Sequence, residues 1–550
     1  MKQIELECSY CHTFVSLHEF TGACEACGET IVEARYDTPA DISAWIETIQ
    51  KRPTSLWRYH EVLPIYDTGN IISMGEGLTP LIKSKALAES LGLKHLYFKD
   101  ERQGPTGSFK DRQASVAISA LYEKGIKEVV VASTGNVAIA YSAYGARAGI
   151  KTWAFFPELA PDDKMRESAL YGSEIIKTTG TYDQTKALAA SFAHTKNIFL
   201  DRGIKSVAAI EAMKTMAYEI AEQLGEAMGD GIWRSPDWFL QGVSGGMGPI
   251  GVGKGFREMQ DMGLVNSLPA FGLIQSEGCA PMVQAFKNGQ RVATPIDDSK
   301  TVIATLATGN PGRAYELLYD YVQVNGGHFE SATDEEAFRA ILILAKKEGI
   351  SVEPAVGVTI AGLIRMAKNG IIKPDDIVVV NCSGHTLPVE KRILGDQWQR
   401  EVDLTNAGNA NQVPKDDILS TVSNMQRNLK RVVIIEDNED AARLISRLLV
   451  AHGNCEVYLA QNGNRGLKLI DKVMPDLIIT DLMMPEVDGF MVIESLRANQ
   501  NLRSIPIVVV SAKELTVAER NFLSENTIAV LQKGSIIDDG FIEALIEKLG

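Results

Sequence analysis

Gly104-Pro105-Thr106-Gly107-Ser108-Phe109-Lys110-Asp111-Arg112 puts a lysine at the mouth of a glycine-rich turn, with a helix predicted behind it. An ordinary surface lysine needs no such frame. A Schiff-base lysine does, because its amine must be held in one geometry and partly desolvated before it attacks a carbonyl near neutral pH. Two further turns share the order strand, Gly-rich turn, helix: Ser133-Thr134-Gly135-Asn136 follows the apolar run 129–132, and Ser244-Gly245-Gly246-Met247-Gly248 follows 238–240. From residue 42 to 395, short β-branched runs such as 152–156 and 377–380 alternate with Ala-rich helical stretches. That alternation predicts an α/β architecture with parallel strands.

At 550 residues the chain has room for three or four domains, and its 45% hydrophobic and 23% charged content is that of a globular protein. No apolar run reaches the roughly 18 residues of a membrane span, and residues 1–7 lack the pattern of a signal peptide, so a cytoplasmic location without membrane association is expected. A net charge of −15 argues against a broad nucleic-acid-binding face, which requires concentrated Lys and Arg. Of seven cysteines, Cys8, Cys11, Cys24 and Cys27 cluster while Cys279, Cys382 and Cys455 are scattered. Two Cys-x-x-Cys pairs place four thiolates on two tight turns, the ligand set of a closed, structural zinc site. Four free thiols would leave the paired spacing unexplained, and His12 beside Cys11 is not needed once four sulfurs complete the shell.

The expected organisation is a zinc-ribbon module over 1–37, a catalytic body over 38–395, a linker over 396–430 rich in Asn, Gln and Asp, and a compact βα series over 431–550. A short amphipathic helix fits 418–429 within the linker. In the last segment, strands are predicted at 432–435, 477–480, 507–510 and 528–531 with a helix over 441–451, the spacing of a doubly wound, flavodoxin-like sheet. Asp481 ends one strand and Glu436 and Asp437 end the first. Three carboxylates brought to one edge of a parallel sheet hold Mg²⁺, whose charge lets Asp481 attack a phosphoryl donor.

The lysine motif and the two Gly-rich turns resemble those of fold-type-II pyridoxal-phosphate enzymes, and within them the threonine synthases; the resemblance runs over about 1–395. Residues 431–550 resemble a response-regulator receiver domain. The first resemblance implies a two-lobed, tryptophan-synthase-β-like body in which Lys110 carries pyridoxal 5'-phosphate as an imine and shuttles protons between substrate carbons. Asn136 would meet the phenolic oxygen of the ring, and Ser133 and Thr134 the substrate carboxylate, although a Ser-Thr-Gly-Asn turn alone reads as a helix N-cap. Ser244, Gly245, Gly246, Met247 and Gly248 would cradle the cofactor phosphate with backbone N–H groups at a helix start, Met247 standing where a smaller residue is usual. Ser383, in Asn381-Cys382-Ser383-Gly384-His385, matches the residue at the pyridine nitrogen. A neutral hydroxyl there makes a weaker electron sink and favours elimination and replacement over transamination. Cys382 and His385 read as lining.

Glu76-Gly77-Leu78-Thr79-Pro80-Leu81 and the Cys module lean toward threonine synthase, which converts O-phosphohomoserine and water to threonine and phosphate. One departure is Ala208-Ala209, where an arginine for the substrate phosphate is expected; Arg202, Lys205 and Lys214 are the neighbouring cations. The loss leaves open a cysteate synthase-like enzyme acting on phosphoserine and sulfite, or a serine/threonine dehydratase. A phosphorelay scaffold with a degenerate body is the reading from another class, and the intact Lys110, Asn136 and Ser383 argue against it. The receiver resemblance implies phosphorylation of Asp481 by a histidine kinase or phosphotransfer protein, with Ser511 and Lys533 sensing the phosphate. Gly534 replaces a common proline, and Val530 the usual switch aromatic. A homodimer is expected, and no DNA-binding output module.

Overall fold

The computed structural model describes residues 4–179, 181–385, 430–452, 455–499, 502–513 and 515–532. They fall in two compact units, Met1–Arg400 and Glu401–Gly550. The predicted linker, apart from Lys430, and the helix within it lie outside the described residues, as do Lys533 and Gly534. Among the described residues no helix is long and apolar enough to cross a membrane.

The first unit opens with three short antiparallel strands, Ile4–Cys8 lying between Phe14–Ser16 and Val32–Tyr36. Period-two alternation turns Ile4, Leu6 and Cys8 inward, onto Val32 and Ala34.

The body carries two further sheets. A six-stranded sheet runs Gly327–Ala332, Ala270–Ser276, Trp238–Gly242, Ile377–Asn381, His95–Lys99, Leu81–Lys83, parallel except for the last, antiparallel edge strand. A four-stranded parallel sheet runs Glu174–Lys177, Lys151–Phe156, Glu128–Ala132, Phe199–Leu200. Its strands enter the sequence between two strands of the larger sheet, so the chain leaves one lobe, builds the other and returns. Strands such as Ile377–Asn381 are buried at all but their first residue, as parallel strands covered by helices on both faces must be.

That return fixes the site. The last strand of the body, Ile377–Asn381, lies at the centre of the larger sheet beside His95–Lys99, so the residues after it meet the turn before Lys110. Ser108 and Gly384 form an antiparallel bridge. Phe109 N–H donates to the Ser383 carbonyl (3.0 Å) and His385 N–H to that of Gly107 (3.0 Å). Two segments over 270 residues apart in sequence thus form one surface.

The second unit is a five-stranded parallel sheet ordered Cys455–Ala460, Lys430–Ile435, Leu477–Thr480, Ile507–Ser511, Ala529–Gln532. This is the flavodoxin-like order, whose switch point lies between the first and third strands of the unit. Four strands match the predicted runs to within a residue or two. Cys455–Ala460, an edge strand, was not among them; Glu456 interrupts its apolar run near the start.

Candidate active site and receiver site

Lys110 is the first residue of the helix Lys110–Glu123. The turn before it is closed by Asp111, whose carboxylate accepts from Thr106 N–H (3.0 Å) and Thr106 Oγ1–H (2.6 Å). Burial pushes the Lys110 amine down to about 8, against the Glu353 and Asp201 carboxylates, which favour its charged form. Asp201 is buried and accepts from Tyr141 O–H (2.6 Å) and Gly203 N–H (2.8 Å). Burial raises its pKa in spite of those bonds.

Asn136 opens the helix Asn136–Ala148. Its Nδ2 donates to Glu353 Oε2 (2.8 Å), and its Oδ1 accepts from Lys164 Nζ. Ser383 Oγ donates to the other oxygen of the same carboxylate, Glu353 Oε1 (2.8 Å). Glu353 is 4% exposed and stands at the N-cap of the helix Pro354–Lys368 without capping it, because its carboxylate is turned to Asn136 and Ser383. Gly384 makes room for it: a Cβ there would lie 2.8 Å from the carboxyl carbon. Ser133 Oγ accepts from Gly135 N–H (3.0 Å) and Ala138 N–H (3.2 Å), so its oxygen caps the helix, while Thr134 is half-buried.

The Ser244–Gly248 loop opens the helix Met247–Asp261. Gly246 sits at φ 78°, where a Cβ would also strike Leu318 at 2.8 Å. Around Gly245, by contrast, a Cβ would meet nothing within 4 Å. Ser244 Oγ pairs with Thr308 Oγ1. The Met247 side chain is buried in the core, which accommodates its size. The first N–H groups of a helix have no intrahelical partner, so this loop presents donors and a positive dipole end beside open space. Together with an amine of lowered pKa, and with His385 Nδ1 buried without a hydrogen-bond partner, these residues fit pyridoxal phosphate. Cys382 is fully buried within an apolar core cluster, and burial pushes its thiol up.

The cations near Ala208-Ala209 divide. Lys214 is fully buried between Glu211 (2.7 Å) and Glu258 (3.0 Å), so its charge is already matched. Arg202 and Lys205 are exposed. Ala209 is wholly buried.

In the N-terminal module the sulfurs of Cys8, Cys11, Cys24 and Cys27 all lie within 4.8 Å of one another. The pairs Cys8–Cys27 and Cys11–Cys24 stand at 3.5 and 3.6 Å. A tetrahedron with Zn–S bonds of about 2.3 Å has edges of roughly 3.8 Å, so the set fits zinc. His12 turns away to Glu7 (2.8 Å).

In the receiver unit, carboxylate oxygens of Glu436, Asp437 and Asp481 come within 4.8 Å of one another at the sheet's switch point, a donor set of hard oxygens that fits Mg²⁺. Asp481 is buried, its Oδ1 accepting from Leu482 N–H (2.6 Å) and Met483 N–H (3.2 Å). Ser511 ends the neighbouring strand and is buried. Val530 is 41% exposed.

Glu353, Lys164, Asp201 and Tyr141 were not singled out in the sequence. A Glu before Pro354 reads as a helix start, and Lys164 in Asp-Asp-Lys-Met-Arg-Glu reads as a solvated face. Their role shows only in the fold, where a Cβ at Gly135 would lie 2.1 Å from Lys164 Cδ.

Residues 72–384 match the family described as pyridoxal-phosphate dependent enzyme, and residues 432–541 the response regulator receiver domain. The threonine synthase of Methanocaldococcus jannaschii is 35% identical over 381 residues, covering 69% of this chain and 92% of the relative. That of Methanosarcina acetivorans is 34% identical, covering 71% and 93%. Among solved structures, the holo diaminopropionate ammonia lyase of Escherichia coli matches with a TM-score of 0.51 at 18% identity, covering 59% of this chain and 89% of that one, a likeness of fold.

Proposed function

Because this chain belongs to the pyridoxal-phosphate-dependent enzymes, with threonine synthases as relatives and a receiver domain behind the catalytic body, we propose that it converts O-phosphohomoserine and water to threonine and phosphate. The observation that carries the reading is that Asn136 and Ser383 share the Glu353 carboxylate beside the bridge between Gly384 and the turn before Lys110, in a chain 35% identical over 381 residues to a threonine synthase. Bound pyridoxal phosphate supplies the electron sink for elimination and replacement. Lys110 is the attachment amine and the base that moves a proton between neighbouring substrate carbons; with a pKa of about 8 it is partly neutral at physiological pH. The Ser244–Gly248 backbone holds the cofactor phosphate, Asn136 its phenolic oxygen and Ser383 its pyridine nitrogen. Ser133 and Thr134 receive the substrate carboxylate. Cys8, Cys11, Cys24 and Cys27 hold a structural zinc.

The buried Ala209 favours a second reading, in which the substrate carries no phosphate dianion for an arginine to bind. Incubating the protein with O-phosphohomoserine, with O-phosphoserine plus sulfite, and with threonine, and identifying products by mass, separates the readings. Threonine and inorganic phosphate are expected from the first. Turnover of threonine alone would replace the synthase with a dehydratase.

In the receiver, Glu436, Asp437 and Asp481 hold Mg²⁺ and Asp481 takes a phosphoryl group from a histidine kinase or phosphotransfer protein. Treatment with acetyl phosphate and Mg²⁺ is expected to add one phosphoryl mass to the wild type and none to Asp481→Asn, and to change kcat/KM or oligomeric mass only in the former. Identical kinetics and mass for the two proteins would remove regulation from the reading.

A further inference from the structure

Two ionic side chains outside the assigned set converge on Asn136, and they come from opposite lobes. Lys164 lies on the helix Asp162–Leu170 of the smaller lobe and is 8% exposed; its Nζ donates to Asn136 Oδ1 and stands 3.9 Å from Glu353 Oε2. Glu353, from the larger lobe, accepts from Asn136 Nδ2 and Ser383 Oγ. Burial lowers the Lys164 pKa, against the charges of Glu353 and Glu167, so the ammonium is kept here at a desolvation cost.

A primary amide has an acceptor end and a donor end of nearly equal size, and a 180° turn exchanges them. Here an ammonium faces the acceptor and a carboxylate faces the donor. Turning the amide would set N–H against N–H and oxygen against oxygen on both sides at once. The space for this arrangement is built into the backbone, since a Cβ at Gly135 would lie 2.1 Å from Lys164 Cδ and one at Gly384 would lie 2.8 Å from the Glu353 carboxyl.

We propose that Lys164 and Glu353 are positioning residues that lock the amide of Asn136 with its N–H₂ toward the cofactor's phenolic oxygen. This rests on the reading that Asn136 and Ser383 meet the cofactor ring. One Nδ2 hydrogen is held by Glu353, and the second donates to the phenolic oxygen, favouring its ionised form. Without the ammonium, only the Glu353 carboxylate holds the amide in that orientation.

The test uses the full chain, freed of cofactor and titrated with pyridoxal 5'-phosphate, reading the dissociation constant and the pH dependence of the visible band, with circular dichroism as the check on folding. Lys164→Met is expected to weaken binding about tenfold, on the scale of one charge-assisted hydrogen bond, and to move the pH midpoint of the band. Lys164→Arg is expected to restore most of both. Asn136→Ala is expected to do the same as Lys164→Met, and the double variant no more than either alone, because the lysine acts through the amide. If Asn136→Ala leaves the band and its midpoint unchanged, the ring reading fails. If Asn136→Ala changes them while Lys164→Met does not, or if the two losses multiply, the positioning role is overturned. Should Lys164→Met not fold, Lys164→Gln, which keeps a donor but no charge, carries the same comparison.

Discussion

Replacing Lys110 by alanine is expected to remove the visible absorbance of the pyridoxal-phosphate-loaded protein, to end borohydride fixation of the cofactor to the peptide that bears residue 110, and to lower kcat/KM by at least roughly 10³-fold. The size follows from two roles lost together: covalent attachment, and the positioned acid–base group, which alone is worth about 10²–10⁴-fold. The pH dependence is specific to this amine. Because its pKa is lowered to about 8, the rate at which the cofactor-free protein takes up pyridoxal phosphate is expected to rise with pH and level off above about 8. An unperturbed lysine would keep rising toward about 10.4. The same depression sets the sign for stability: between about pH 8 and the unfolded value the unfolded chain binds the extra proton, so this group's contribution to stability improves as pH rises through that window. A Lys110→Ala protein that retains the band would mean that another amine carries the cofactor, and Lys164, whose Nζ donates to Asn136, is then the buried lysine to examine.

The parts of this molecule legible in its sequence are those written in contiguous residues. Gly-rich turns after apolar runs announced the strand that ends at Ala132 and the one expected to end at Leu240, which runs on to Gly242, and the two Cys-x-x-Cys pairs announced a cluster whose sulfurs are indeed gathered. Parallel strands were readable because burial on both faces demands nearly unbroken apolar runs, whereas in the edge strand Cys455–Ala460 the charged Glu456 is exposed and breaks the run. What was not legible is whatever depends on the central placement of the Ile377–Asn381 strand. Glu353 has no local feature separating it from a helix cap, and its meeting with Asn136 spans 217 residues. Lys214 shows the converse. It looked available for an anion beside Ala209, and tertiary packing has already matched it to two carboxylates.

The helix Val207–Met228 ties the Cys module to the lysine's own helix, and the largest effect on stability is expected at its residue Glu211. That carboxylate is wholly buried; it accepts from Ala34 N–H (3.2 Å) and Tyr36 O–H (3.0 Å) in the strand Val32–Tyr36 and contacts both Lys214 and Lys254. Lys254 Nζ in turn donates to the Ala34 carbonyl (2.6 Å). Glu258, 3.0 Å from both lysines and partly exposed, completes a quartet whose other three members are fully buried. Glu211→Ala leaves two buried ammonium groups sharing one carboxylate, and removing one member of a buried ion cluster costs about 3–5 kcal/mol. In a unit of this size that is a fall in Tm of roughly 5 °C. The exposed pair Lys94–Asp375 (2.6 Å) serves as the control, since breaking it costs less than about 1 kcal/mol. The quartet should also fail in acid: burial alone would raise the Glu258 pKa, yet Lys214 and Lys254 hold it at about 2, so its contribution is full above the ordinary carboxylate range and is lost as pH falls toward that value. About two turns further along the same helix, Glu219 accepts from Arg112 in the helix that Lys110 begins, at 2.5 Å. Loosening the Glu211 anchor is therefore expected to speed thermal inactivation while leaving kcat at low temperature near wild type, and equal melting of Glu211→Ala and Lys94→Ala proteins would show that the quartet does not hold the module to the body.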